Sequence, residues 1–293
     1  MKSDYVSTSH ANGWIHYADD ESFNPTAYQS AKDLGFIDIE AHVIARMSTS
    51  GTLPLFTASQ GLWNMAFQPL TNPDLGLYVI VDSSSWVERV LKAGVRTVQL
   101  RIKDSAQSDL RAEIKRSVAF AREYNAQLFI NDHWQMAISE GAYGVHIGQE
   151  DLDTIGKDGL QAISDKGLRL GISTHAYWEV CKALAIRPSY IACGPIHPTA
   201  AKAMPWIPQG NDNLAYWCSK IDLPVVAIAG MDAKRATEAT QCGAASVAVI
   251  SAVTAASDPE AVIQQLQAAI KLGKSMPAWP MPKRARPTLD SMT

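Results

Sequence analysis

LYVIVD (residues 77–82) and TVQLRIK (97–103) are short, β-branched apolar runs that end in polar residues, and the pattern returns six more times. The repeats are AQLFIND (126–132), YGVHIGQ (143–149), LRLGIST (168–174), YIACGPI (190–196), PVVAIAG (224–230) and SVAVISAV (246–253). Segments with apolar residues at helical spacing lie between them, such as Leu110, Ile114, Val118 and Ala119, or Trp178, Cys181, Leu184 and Ala185. Near-continuous hydrophobicity in the strand runs predicts burial on both faces, as in a parallel sheet. Eight βα units in about 200 residues predict an α/β fold, a (β/α)8 TIM barrel over residues 76–272, whose chemistry belongs at the C-terminal strand ends.

Polar residues gather at those ends. Successive side chains of a strand alternate in direction, so Gln99, Arg101 and Lys103 at i, i+2 and i+4 aim at one place. Two cations and an amide together suit an anion. Asn131 and Asp132 close the third run, Asp151 follows the fourth, Ser173 closes the fifth and Lys202 follows the sixth. Taken singly, Arg101 and Lys103 fit barrel-rim ion pairs with Asp104 or Asp132, and Asp151 or Ser251 fits a helix cap. His146 and His175 read as structural hydrogen-bonding residues.

Composition sets outer limits. The chain has 293 residues, 47% of them hydrophobic, and a net charge of −3, which supports one large core and argues against general nucleic-acid binding. The four cysteines, Cys181, Cys193, Cys218 and Cys242, form no CxxC pair, so neither a zinc site nor a disulfide framework is expected and a reducing cytoplasmic setting is. The sequence has no apolar run of ~18 residues and no secretory leader pattern.

Residues 1–75 break the βα alternation: they lack evident strand runs and carry the acidic run Asp19, Asp20 and Glu21. Two short helices are expected there, one opened by Asn24 and Pro25 and stopped near Gly35, the other with Ile39, Val43, Ile44 and Met47 as its apolar stripe. The reading is a partly ordered N-terminal extension of unknown role, packed on the barrel or on a partner and dispensable for chemistry, since every candidate lies after Leu77. The Pro-rich, basic residues 273–293 read as a flexible tail.

QLRIK, FINDH, YGVHIGQEDL, GISTH, YIACGPIHPTAAK, VVAIAG and SVAVIS, in this order and spacing, resemble the thiamine phosphate synthases over residues 76–270. The resemblance implies a transferase that couples 4-amino-5-hydroxymethyl-2-methylpyrimidine pyrophosphate with a thiazole phosphate to give thiamine phosphate and pyrophosphate, with Mg²⁺ required. It further implies that Arg101, Lys103, Asn131 and Lys202 serve the pyrophosphate, that Ser173 and Thr199 add hydroxyl donors, and that Asp132 and Asp151 hold the metal. Gln99 would hold the pyrimidine; Gly230 and the amides of Ile250 and Ser251 would hold the thiazole phosphate. The implied partners are these small molecules, with no nucleic acid or membrane, and a homo-oligomer is compatible. Two alternatives share the barrel: a thiazole tautomerase-like paralogue, which needs no pyrophosphate and metal set, and a non-catalytic regulatory protein. Arg101, Lys103, Asp132, Asp151 and Lys202 together favour the synthase.

Three positions depart from the resemblance. Ala201 stands where a threonine usually precedes the lysine, His197 replaces an aromatic in the same loop, and Ala229 replaces the glycine before Gly230. A hydrogen bond to a charged group contributes ~1.5–3 kcal/mol, so the missing hydroxyl corresponds to about tenfold or more in binding. The loop from His197 to Gly210, with Pro198, Pro205 and Pro208, is long enough to act as a lid, and Trp206 fits either a shield of the site or an anchor of the loop. Ala201→Thr is expected to lower the KM for the pyrimidine pyrophosphate or to tighten inhibition by product pyrophosphate. Steady-state kinetics decide this, and unchanged values for both would mean that another group already makes the contact.

Overall fold

The computed structural model describes residues 1–47, 51–103, 109–199 and 205–289. The eight apolar runs become parallel strands: β4 (Gly76–Val81), β5 (Thr97–Leu100), β6 (Gln127–Asn131), β7 (Gly144–Ile147), β8 (Arg169–Thr174), β9 (Tyr190–Cys193), β10 (Val225–Ile228) and β11 (Ser246–Val249). They follow the N-terminal strands β1 (Lys2–Ser7), β2 (Asn12–Tyr17) and β3 (Leu55–Thr57). Each barrel strand pairs with its sequence neighbour, and β11 pairs back on β4 with Ser246 opposite Gly76 and Val249 opposite Val79, which closes the barrel.

Helices α1 (Pro25–Asp33) and α2 (Asp38–Ile44) belong to the N-terminal segment; α3 (Ser84–Lys92), α4 (Leu110–Glu123), α5 (Trp134–Glu140) and α6 (Gln149–Asp165) follow the first four barrel strands. The outer ring continues with α7 (Tyr177–Ile186), α8 (Gly210–Lys220), α9 (Ala233–Gln241), the single turn α10 (Ser251–Thr254) and α11 (Pro259–Ser275). Local chemistry sets several starts: the side chains of Ser83, Asp232 and Asp258 accept the amides of Trp86, Arg235 and Ala261, satisfying helix N–H groups that have no intrahelical partner.

Strand alternation divides the core in two. Leu77, Val79 and Val81 face outward onto the helices, whereas Tyr78, Ile80, Phe129, Tyr190, Ala192, Val226 and Ala248 fill the barrel interior, with Leu70 and Leu75 packed against them. The lower opening is sealed by polar contacts as well: the Gln127 side chain accepts the Asn72 amide and donates to the Asn72 carbonyl, and Tyr143 contacts Thr71.

The N-terminal segment corrects one expectation. Helices α1 and α2 form where the caps and apolar stripe placed them, with Asn24 accepting the Ala27 amide and Gly35 at φ +87° ending the first. However, β1, β2 and β3 form a three-stranded antiparallel sheet where no strand runs were evident. A sheet buried on one face needs apolar residues only at alternate positions, so Val6, Ile15 and Tyr17 suffice and leave no continuous run. This segment shares one apolar cluster with the helix ring. Phe36 meets Tyr177 edge-on at 5.6 Å, and Phe56 meets Trp178 at 6.2 Å, both on α7.

Residues 276–289 also lie against the barrel. Ala285 is fully buried, the Asn213 side chain pairs with both backbone groups of Arg286, and the Thr288 hydroxyl donates to the His175 carbonyl at 2.8 Å. Composition misses this docking because isolated residues make it, with Ala285 and Leu289 in the core and Trp279 and Arg286 donating hydrogen bonds, without an apolar run.

Glu40 on α2 is 1% exposed, accepts the Tyr177 amide at 3.1 Å through Oε1, and has no hydrogen-bond partner for Oε2 among the described residues. Burial pushes its carboxyl up to about 7, helped by the nearby Glu179 charge and opposed by the N–H groups of Tyr177 and Ile37. The folded value therefore lies above the ordinary value of 4.5, so the native state retains a proton that the unfolded chain releases in that interval. Stability is lost as pH rises from about 4.5 through about 7. Glu40→Gln keeps the acceptor and removes the charge. Urea unfolding is expected to show the variant equal to wild type near the acid end of this window and more stable by about 1–3 kcal/mol above it. Identical pH slopes for the two proteins would contradict this origin of the shift.

Candidate active site

The C-terminal ends of the strands surround a cavity of about 790 Å³. Gln99, Arg101, Asn131, Asp132, Asp151, Ser173, Thr199, Gly230, Ile250 and Ser251 all line it. Lys103 does not: it is exposed, three residues past the end of β5, where the alternation that turns Gln99 and Arg101 inward no longer governs direction. Lys202, Ala201 and Asp104 lie outside the described residues.

Asp132 sits directly after β6 with φ +59°, a left-handed conformation that asparagine and aspartate tolerate better than most residues. This turn carries the side chain off the strand axis, next to the Asn131 amide, which donates to it. Burial holds the Asp132 carboxyl above its usual range, and the Asp151 carboxylate adds to the rise while Arg101 opposes it. Two carboxylates that repel in a partly desolvated mouth form an oxygen donor set suited to a hard cation.

A buried polar chain forms the cavity floor. The Gln99 amide donates to the Tyr78 hydroxyl at 3.2 Å, Tyr78 and Tyr190 share a 2.9 Å bond, Tyr190 lies 2.7 Å from His146 Nδ1, and His146 Nε2 lies 2.9 Å from the Ser173 hydroxyl. Burial lowers the His146 imidazole to about 4, so it is neutral near pH 7, with one donor and one acceptor nitrogen. Because Gln99 donates at one end, pairing every hydroxyl requires Tyr78 to donate to Tyr190 and Tyr190 to Nδ1. His146 Nε2–H then donates to Ser173, which frees the Ser173 proton for the cavity. Gly171 admits this arrangement, since an added Cβ there would overlap the Tyr190 ring. The sequence reading gave Tyr78 and Tyr190 no role. Their signal was a polar aromatic at an inward strand position, indistinguishable in sequence from core.

One wall is aromatic. Trp206 stacks on His175 with ring centroids 5.0 Å apart and 7° between planes, and both line the cavity. His175 is held by Glu179, which accepts both its backbone amide and its Nδ1 at 2.7 Å. Opposite, Gly230 at φ +66° has the Pro198 carbonyl and His197 so close that any Cβ would collide. Ala229 beside it has φ +87°, a conformation in which a methyl side chain is strained. His197 does not line the cavity. Its ring lies toward Arg235, Glu238 and Asp232, and its Nε2 is buried without a hydrogen-bond partner among the described residues.

A family model described as thiamine monophosphate synthase matches residues 77–253, the barrel and its mouth. The chain belongs to the thiamine monophosphate synthase family. The thiamine-phosphate synthase of Salmonella enteritidis PT4 is 51% identical over 193 residues, covering 66% of this chain and 90% of the relative. That of Klebsiella pneumoniae subsp. pneumoniae is 51% identical over 195 residues, with 66% and 91% covered. Among solved structures, thiamine phosphate pyrophosphorylase from Pyrococcus furiosus superposes with a TM-score of 0.61 at 27% identity, covering 69% of this chain and 98% of that one. These matches cover about two thirds of the chain, about the extent of the barrel. No helix among the described residues is long and apolar enough to cross a membrane.

The floor chain yields a test. Tyr190→Phe removes the hydroxyl that joins Tyr78 to His146 and leaves buried polar groups unpaired at ~1–3 kcal/mol. Thermal or urea unfolding is expected to show a loss of that order, with a raised KM for the pyrophosphate-bearing substrate as Ser173 loses its orientation. Wild-type stability and KM in this variant would show that the chain does not fix Ser173.

Proposed function

We propose that the barrel mouth joins 4-amino-5-hydroxymethyl-2-methylpyrimidine pyrophosphate to a thiazole phosphate, giving thiamine phosphate and pyrophosphate. The observation that carries this reading is the convergence of Arg101, Asn131, Asp132, Asp151 and Ser173 on one cavity in a member of the synthase family. An isomerase acting on the thiazole alone would have no use for that set.

The reaction needs no protein nucleophile. The bond between the pyrimidine methylene and the pyrophosphate oxygen breaks, the electron pair leaves with the pyrophosphate, and the ring amino group stabilises the methylene cation. The thiazole nitrogen then donates its lone pair to form the C–N bond. Catalysis therefore rests on stabilising the leaving group and on alignment. Arg101 supplies fixed positive charge, the Asn131 amide and the Ser173 hydroxyl donate to phosphate oxygens, and Gln99 holds the pyrimidine above the polar floor. Lys202 and Thr199 complete the pyrophosphate contacts from the loop after β9, and Lys103, exposed just outside the cavity, adds positive charge at its rim. Gly230 lets the backbone approach the thiazole phosphate, and the amides of Ile250 and Ser251 cradle it, as in the phosphate sites after strands seven and eight of such barrels.

The donor set fits magnesium, which takes oxygen ligands and keeps room for substrate phosphates and water beside one or two carboxylates. Asp132 and Asp151 would hold Mg²⁺, whose chemistry there would be positive charge set against the departing pyrophosphate. Asn131 fixes the Asp132 side chain.

Asp132→Asn and Asp151→Asn preserve shape and, at residue 132, the left-handed backbone. Each is expected to lower kcat by about a hundredfold or more and to raise the Mg²⁺ concentration for half-maximal rate. Melting temperatures should not fall, because a repelling carboxylate has been removed. Full turnover of either variant in EDTA would overturn the metal assignment.

A further inference from the structure

We propose that Glu40, in the N-terminal segment, is a positioning residue for the coupling reaction: it caps α7 and thereby sets the His175–Trp206 wall that keeps water from the reactive cation. The inference rests on the synthase reading above.

The chain of contact is continuous. Helix α7 begins at Tyr177 behind Ala176, a residue whose side chain cannot cap a helix. Its first amide is taken instead by Glu40 from a helix 137 residues earlier in the chain. Such a terminal N–H has no partner within its own helix, so removing an outside acceptor lets the first turn loosen. That first turn carries Glu179, which is 3% exposed and holds the backbone and ring of His175 at 2.7 Å. His175 in turn carries Trp206 on its face. The His175 carbonyl is tied by Gln209 at 2.6 Å and by Thr288 at 2.8 Å, so the loop after β9 and the C-terminal segment meet at the same residue. Among the described residues the N-terminal segment contributes no side chain to the cavity, whose lining begins at Tyr78. Its influence on the site runs through α7.

The chemistry gives this wall a measurable task. If water enters when the pyrophosphate leaves, its oxygen attacks the methylene, a proton is released to solvent, and the products are hydroxymethylpyrimidine and pyrophosphate. Pyrophosphate then appears without thiamine phosphate. A displaced wall raises that fraction, whereas simple loss of folded protein lowers both products together.

The test uses full-length protein with Glu40→Ala and Glu40→Gln, the second retaining the acceptor for Tyr177. Pyrophosphate and thiamine phosphate are quantified in the same reactions with Mg²⁺. Trp206 emission without substrate is taken as the difference between each protein and its Trp206→Phe counterpart. Glu40→Ala is expected to release about twofold or more pyrophosphate per thiamine phosphate and to shift Trp206 emission to the red, with Glu40→Gln matching wild type in both. A proportional loss of both products, or wild-type Trp206 emission in Glu40→Ala, overturns the inference. A wild-type chain that makes no thiamine phosphate would sink the synthase reading instead, and the emission comparison would still decide whether Glu40 sets the wall.

Discussion

Closure of the barrel, through the pairing of β11 with β4, is the constraint on which the other features depend. An open sheet would leave two edges with unpaired backbone groups and an interior open to water. With the edges joined, each strand must send alternate residues into a narrow space, and the strands end around a common rim. Gln99 and Arg101 turn inward because Thr97, two residues earlier, already does so with its hydroxyl on the Leu75 carbonyl. The same rule places Ser173 on the rim two residues beyond Gly171. The mouth is therefore a product of register, and no separate device is required to assemble its polar residues.

Closure also creates a problem that the floor chain resolves. An inward polar side chain deep in a barrel has no water to bond, and an isolated buried hydroxyl or imidazole is costly. Gln99, Tyr78, Tyr190, His146 and Ser173 satisfy one another in sequence, which converts a buried polar group into an oriented donor at the top. The apolar lower half, with Phe129 packed edge-on against Tyr190 at 5.0 Å, keeps that chain dry and fixed.

The barrel was legible because its signal is periodic and repeated: eight apolar runs separated by helical spacing leave few alternatives, and all eight became strands. The rim residues were legible where a strand continued to or near them, as with Asn131 and Ser173. Lys103 lies beyond the last strand residue, and there alternation stops carrying information. The N-terminal sheet escaped because a half-exposed sheet needs few apolar residues, and β1 leaves Tyr5 56% exposed. The floor tyrosines escaped because partners 112 residues apart cannot be paired from one sequence. Glu40 escaped for the same reason, since its partner amide belongs to a distant helix with nothing in its own sequence to mark a missing cap beyond Ala176.

The central claim is that this mouth expels pyrophosphate from one substrate and joins the remaining pyrimidine methylene to the other. It is tested most directly by following phosphorus NMR of the purified chain with the pyrimidine pyrophosphate, the thiazole phosphate and Mg²⁺. The account predicts that thiamine phosphate and inorganic pyrophosphate rise together, one for one, at the expense of both substrates. Pyrophosphate accumulating with no thiamine phosphate when both substrates are present, or conversion of neither substrate, would contradict it.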